Sequence, residues 1–220
     1  MKLTVFIGSP RGSKSNSTFL INHFETGFCK NNNNIIEYFY LNKINKTEEN
    51  LEAFYKADNV IIIFPLYTDS MPGIVKEFIE RIDTTKFETV KKLSFIVQSG
   101  FPEAKHSSYI ARYLEKLCPR LKCTFNGIVT KGEIEGIQIK PTWMIKNTTF
   151  AFTELGEYYA EKLTFNHEIV KNLQKPYRLS KGTRVMLRIM KSIGLTNFYW
   201  NMKLKENNAY EKRFDKPYIN

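Results

Sequence analysis

The 220-residue chain has only three cysteines, Cys29, Cys118 and Cys123, scattered along its length. They cannot make a disulfide framework, and no C-x-x-C pair offers part of a zinc or iron–sulfur ligand set. Its three histidines, His23, His106 and His167, form no H-E-x-x-H. No metal site is expected. Long apolar runs are missing too. The longest, Val60 to Leu66, falls far short of the roughly 20 residues of a membrane helix. At the start, Leu3 to Ile7 stops at Gly8 and does not read as a secretory leader. These absences lead to the expectation of a soluble, cytoplasmic protein.

The remaining composition is that of a folded protein. Hydrophobic residues make up 42% and charged residues 25%, which excludes a disordered chain. Net charge is +11, unevenly placed. Residues 1–164 hold 21 Lys and Arg against 18 Asp and Glu, or +3; residues 165–220 hold 12 against 4, or +8. A basic segment of this kind suits nucleic acid, an anionic membrane or an acidic partner.

Through the first 160 residues, short apolar runs alternate with amphipathic stretches. Strands are expected at Leu3–Ile7, Ile35–Leu41, Val60–Phe64, Leu93–Val97 and Thr124–Val129. Helices are expected at Ser17–Cys29, Glu48–Lys56, from Pro72 through Ile82, at Tyr109–Leu117 and at Thr148–Leu163. Val60 to Phe64 is apolar at every position, as a parallel strand covered on both faces should be. A βα unit repeated five times implies an α/β fold with a parallel sheet and right-handed crossovers. Two strand orders are common for such sheets. In both, ligands bind beyond the C-terminal strand ends where the order reverses.

The loops after strands one, three and four carry the least ordinary sequences. The first, Gly8-Ser9-Pro10-Arg11-Gly12-Ser13-Lys14-Ser15-Asn16-Ser17-Thr18, enters a helix. Hydroxyls, a guanidinium and the free amides of a helix start suit a phosphate. An N-cap alone needs just one such residue. The dinucleotide fingerprint G-x-G-x-x-G is absent, and Ser13 stands where a nucleoside-triphosphatase loop has its second glycine. In the second loop, Pro65-Leu66-Tyr67-Thr68-Asp69-Ser70-Met71-Pro72-Gly73, Tyr67 can stack on a planar ring, Leu66 and Met71 can cover one, and backbone amides can bond its heteroatoms. The third, Gln98-Ser99-Gly100-Phe101-Pro102-Glu103, adds a close backbone approach at Gly100 and a second aromatic surface.

Gly8-Ser9-Pro10-Arg11 followed by Ser15-Asn16-Ser17 resembles the phosphate loop of the NAD(P)H-dependent FMN reductases. Pro65-Leu66-Tyr67 with Met71-Pro72-Gly73, then Lys76, Phe78 and Arg81, resembles their isoalloxazine loop, and Ser99-Gly100-Phe101-Pro102-Glu103 their third flavin loop. The resemblance covers roughly residues 1–160. It implies a flavodoxin-like three-layer fold with strand order 2-1-3-4-5. It also implies FMN as cofactor, NADH or NADPH as donor, and a quinone, flavin, nitro, azo or protein acceptor. The phosphate would lie on Ser9, Arg11, Ser15, Asn16, Ser17 and Thr18. The ring would lie on Pro65, Leu66, Tyr67, Thr68 and Met71, and on Ser99, Gly100 and Phe101. No catalytic side chain is implied, in keeping with the lack of a Ser/His/Asp or Cys/His pattern. A homodimer or homotetramer is implied as well. A flavodoxin-like electron carrier, binding FMN without oxidising NAD(P)H, is the alternative; such carriers are usually acidic.

Residues 1–164 are thus expected to form the FMN-binding domain and 165–220 a basic, largely helical extension. In Thr183–Ile193, Val185, Ile189 and Ile193 recur at four-residue spacing with Met186 and Met190 beside them, and Arg184, Arg188 and Lys191 take another face. Packing of that stripe on the domain or on a partner subunit is favoured over a membrane surface. No nucleic-acid partner is expected, because no binding motif is present.

Overall fold

The computed structural model describes residues 1–31, 33–194 and 197–216, Tyr199 by its backbone alone. Five strands, β1 (Lys2–Ile7), β2 (Ile35–Tyr40), β3 (Asn59–Pro65), β4 (Lys92–Gln98) and β5 (Thr124–Lys131), form one sheet in the order β2-β1-β3-β4-β5. All pairings are parallel, with Ile7 opposite Ile63, Phe64 opposite Val97 and Gln98 opposite Lys131. The fold is the flavodoxin-like α/β arrangement with the expected strand order.

Alternation along the strands makes two cores. Leu3, Val5, Ile7, Ile61 and Ile63 face α1 (Asn16–Phe28) and α5 (Thr142–Lys162). Phe6, Val60, Ile62, Phe64 and Val97 face α2 (Thr47–Lys56), α3 (Gly73–Glu80) and α4 (Ser108–Arg120). On that side Phe6 lies 4.9 Å from the Phe78 ring and 5.4 Å from Phe39. On the other side α1 and α5 touch backbone to backbone. A Cβ on Gly27 would stand 1.8 Å from Thr153 O, and one on Gly156 1.9 Å from Phe24 O. Only glycine permits that crossing.

Helix α5 begins at Thr142 rather than Thr148, because Trp143, Met144 and Phe150 in its first half are exposed and give no inward stripe to read. Another helix, α6 (His167–Leu173), starts where Asn166 Oδ1 accepts the amides of Glu168 and Ile169. Phe165 and Leu173 are buried in the α1–α5 core. Residues 1–178 form one compact unit and residues 179–220 a second. The second contains α7 (Lys181–Ser192) and α8 (Phe198–Glu206). Among the described residues, no helix is long and apolar enough to cross a membrane.

Candidate functional site

The first loop is drawn tight by its own polar groups. Gly8 N–H donates to Ile63 O at 2.8 Å, tying the end of β1 to β3. Gly12 N–H bonds Ser9 O and Ser15 N–H bonds Gly12 O, so the chain folds back twice before α1. Gly12 has φ +56°, and a Cβ there would lie 2.6 Å from Asn42 Nδ2. Ser15 Oγ then caps α1 by accepting Thr18 N–H at 3.1 Å, while Thr18 Oγ1 donates to Gly12 O at 3.0 Å.

Some of the loop's polar residues shape the loop, and others are left available to a ligand. Ser15 and Thr18 are engaged with the loop itself. The amide of Asn16 is engaged too: Nδ2 donates to Ile134 O at 3.1 Å, and Oδ1 accepts from Gln138 Nε2 at 2.8 Å. Ser17 is different. Its side chain is fully buried, and its Oγ has no hydrogen-bond partner among the described residues. A buried hydroxyl without a partner costs about 1–3 kcal/mol, so its presence calls for an explanation. The amides of Asn16 and Ser17, at the start of α1, have no intrahelical acceptor. Arg11 is half-exposed, with its guanidinium 3.5 Å from Glu135 Oε1. Beside the loop lies a cavity of about 240 Å³ lined by Arg11, Lys14, Lys43, Tyr40 and Asn42. Three cations there make the surrounding field positive.

The second loop turns more sharply than its sequence suggested. Tyr67 and Ser70 exchange N–H···O bonds of 2.9 and 3.0 Å around Thr68 (φ 50°) and Asp69 (φ 60°). Two successive left-handed residues make a mirror-image turn, uncommon for a β-branched threonine. Leu66 N–H donates to Gln98 O, binding this loop to the third. The amides of Leu66 and Tyr67 are thus spent within the protein; those of Thr68 and Asp69 have no backbone acceptor among the described residues. Leu66 lies in the core, Pro65 is buried, and Met71 is half-buried against the same core. Tyr67 remains 45% exposed at the tip.

In the third loop Ser99 is buried and its Oγ has no hydrogen-bond partner among the described residues, the second such hydroxyl at these strand ends. Its N–H donates to Lys131 O and its C=O accepts from Ile134 N–H. Phe101 is 46% exposed and stacks on His106, ring centres 4.4 Å apart. Gly100 faces solvent, and a Cβ there would come within 3.3 Å of Glu135 Cβ.

A fourth segment, residues 132–141 between β5 and α5, joins the three loops and was not anticipated from the sequence. Glu135 reaches Arg11, Gln138 bridges Asn16 Oδ1 and Lys14 O, and Glu133 N–H donates to Phe101 O. Lys131, at the end of β5, is nine-tenths buried, and burial lowers its pKa from the usual lysine value. Two glycines four apart, Gly132 and Gly136, followed by Pro141, were the available sequence signal. Elsewhere, burial pushes the Cys118 thiol up to about 12 and that of Cys123 to about 11, which leaves neither a nucleophile.

Fold and loops together define a doubly wound α/β protein with ligand-type loops at its topological switch point. Residues 1–129 match the family model described as Flavodoxin-like fold (Flavodoxin_2), and the chain belongs to that family. Comparison with curated proteins returns no match. Among solved structures, the chain is similar to an FMN-dependent NADH-azoreductase from Bacillus anthracis in complex with FMN, with a TM-score of 0.55 and 17% identity over 73% of this chain and 100% of that one. It is also similar to the NAD(P)H:quinone oxidoreductase from Methanothermobacter marburgensis, with a TM-score of 0.57 and 13% identity over 76% and 99%. An NADPH-quinone reductase from P. pentosaceus gives a TM-score of 0.53 and 19% identity over 74% and 99%. Identities this low speak to the fold.

Proposed function

We propose that this chain is an FMN-dependent oxidoreductase that takes electrons from NADH or NADPH and passes them to a small acceptor such as a quinone, flavin, nitro or azo compound, or to a protein. The observation that carries the reading is the fully buried, unpartnered Ser17 Oγ at the start of α1. With the free amides of Asn16 and Ser17, it makes a donor set suited to a phosphate dianion at a helix N-terminus. Ser9 and Arg11 complete that set, and Ser15, Asn16 and Thr18 hold its shape. Reductases named for FMN and NAD(P)H among the similar structures favour the same cofactor and donor.

FMN bound there would supply a two-electron carrier between a nicotinamide and an acceptor. The chain's own part is to bind, orient and stabilise charge. Pro65, Leu66, Met71 and the Tyr67 turn would set one side of the ring site, and Ser99, Gly100 and Phe101 the other. Backbone N–H groups of the second and third loops would stabilise negative charge developing at the ring's pyrimidine end. No side-chain nucleophile is required. Exposed Trp143 and Phe150, one heptad apart on α5, suit a second copy of the chain in a homodimer or homotetramer.

The test is steady-state oxidation of NADH and NADPH by FMN-loaded protein with a quinone or azo dye as acceptor. Turnover with either nucleotide is expected. Reduction only by a protein donor, never by NADH or NADPH, would replace this reading with that of an electron carrier.

A further inference from the structure

The second unit, residues 179–220, presents an amphipathic helix with an apolar arc beside a basic one. Ser180 Oγ caps α7 by accepting Thr183 N–H at 3.1 Å, so the helix has its own start signal. At 3.6 residues per turn, Val185, Met186 and Ile189, with Ile193 just beyond the end, fall within roughly 100° of arc. Lys181, Arg184, Arg188 and Lys191 occupy roughly 80° beside it. The four apolar residues are 53–65% exposed, and no residue of α7 is fully buried, so the unit does not cover this face by itself.

Charge decides between possible occupants. From Ile169 to Lys205 the chain has nine Lys and Arg and no Asp or Glu. Residues 1–178 hold 24 basic against 19 acidic residues, and 179–220 hold nine against three. Both parts are net positive, so neither the first unit nor a second copy carries a net charge opposite to that of α7. An anionic lipid surface does. The exposed Phe198 and Trp200 that follow are of the type that settles at the headgroup level.

We propose that α7, with the basic run around it, docks on an anionic lipid bilayer. The helix lies in the interface plane, its apolar arc among the upper acyl carbons and its cations at the lipid phosphates. Each Lys or Arg near such a surface strengthens binding about fivefold. The proposal is independent of the FMN reading.

The experiment is co-sedimentation of the full chain with phosphatidylcholine vesicles, with and without phosphatidylglycerol, alongside sedimentation velocity and melting without lipid. The full chain is expected to pellet with the anionic vesicles only, and less so at high salt. Ile189→Asp should weaken that binding at least about tenfold, since it places a charge in the apolar layer. Arg188→Gln with Lys191→Gln should weaken it about 25-fold with melting unchanged, which keeps the test valid should the aspartate disturb the helix. Failure of the full chain to pellet with anionic vesicles overturns the proposal. So does binding undiminished in both variants. Loss of an oligomer or of melting temperature in Ile189→Asp, with vesicle binding intact, assigns the apolar arc to protein packing instead.

Discussion

Ser17 carries more of the functional reading than any other side chain. Its neighbours in the loop are engaged with protein partners, whereas its Oγ is buried and unpartnered. A hydroxyl bonded to a charged group contributes about 1.5–3 kcal/mol. Ser17→Ala should therefore weaken FMN roughly tenfold to a hundredfold by flavin-fluorescence titration, and leave riboflavin, which lacks the phosphate, unchanged. An equal loss for both ligands would place Ser17 away from the phosphate. Lys91 makes a separate point about buried polarity. It is 1% exposed, and its Nζ donates to Tyr55 O at 2.7 Å and Ala57 O at 2.9 Å, at the end of α2. Lys91→Met strands both carbonyls and should cost about 1–2 kcal/mol in denaturant unfolding at neutral pH. Burial also lowers the ammonium's pKa from its usual 10.5, so the unfolded chain binds that proton more readily. Stability should then rise with pH between the lowered value and 10.5, and Lys91→Met should flatten that rise.

At the scale of elements, the repeating β-α pattern was legible because β1, β3, β4 and most helices bury a continuous apolar stripe. Val60 to Phe64 identified a central parallel strand, and the structure buries it completely. The strand order followed from the resemblance of three loops, not from any spacing. What escaped was structure without such a stripe. The start of α5, residues 142–147, is largely solvent-facing, α6 is one short segment with a single buried residue, and the β5–α5 segment acts through hydrogen bonds between residues more than 100 positions apart. That last segment should matter to the site. Asn16→Ala and Gln138→Ala both release the loop that Gln138 ties down. In a double-mutant cycle on FMN affinity their effects should be non-additive by at least about 0.5 kcal/mol, and additive losses would sever the link. The α1–α5 crossing makes a structural forecast. In Gly156→Ala a methyl group would meet the Phe24 carbonyl, so unfolding stability should fall by about 2–3 kcal/mol or more. A change below about 0.5 kcal/mol would show that the helices are not in backbone contact.

Over the whole molecule, charge and chemistry are kept apart. Each ligand-type loop lies in the first unit, and the second unit, a fifth of the chain, holds more than half of the net charge. The phosphate loop is nevertheless locally basic through Arg11, Lys14 and Lys43, which suits a dianion better than a neutral ligand. The most direct measurement is therefore a side-by-side equilibrium titration of the apo full-length chain with FMN and riboflavin, followed by flavin fluorescence and absorption. One FMN should bind per chain with micromolar or tighter affinity and a perturbed spectrum, and riboflavin at least about tenfold more weakly, as loss of a charged, hydrogen-bonded group requires. No spectral change with FMN, or equal affinity for the two flavins, would contradict the account.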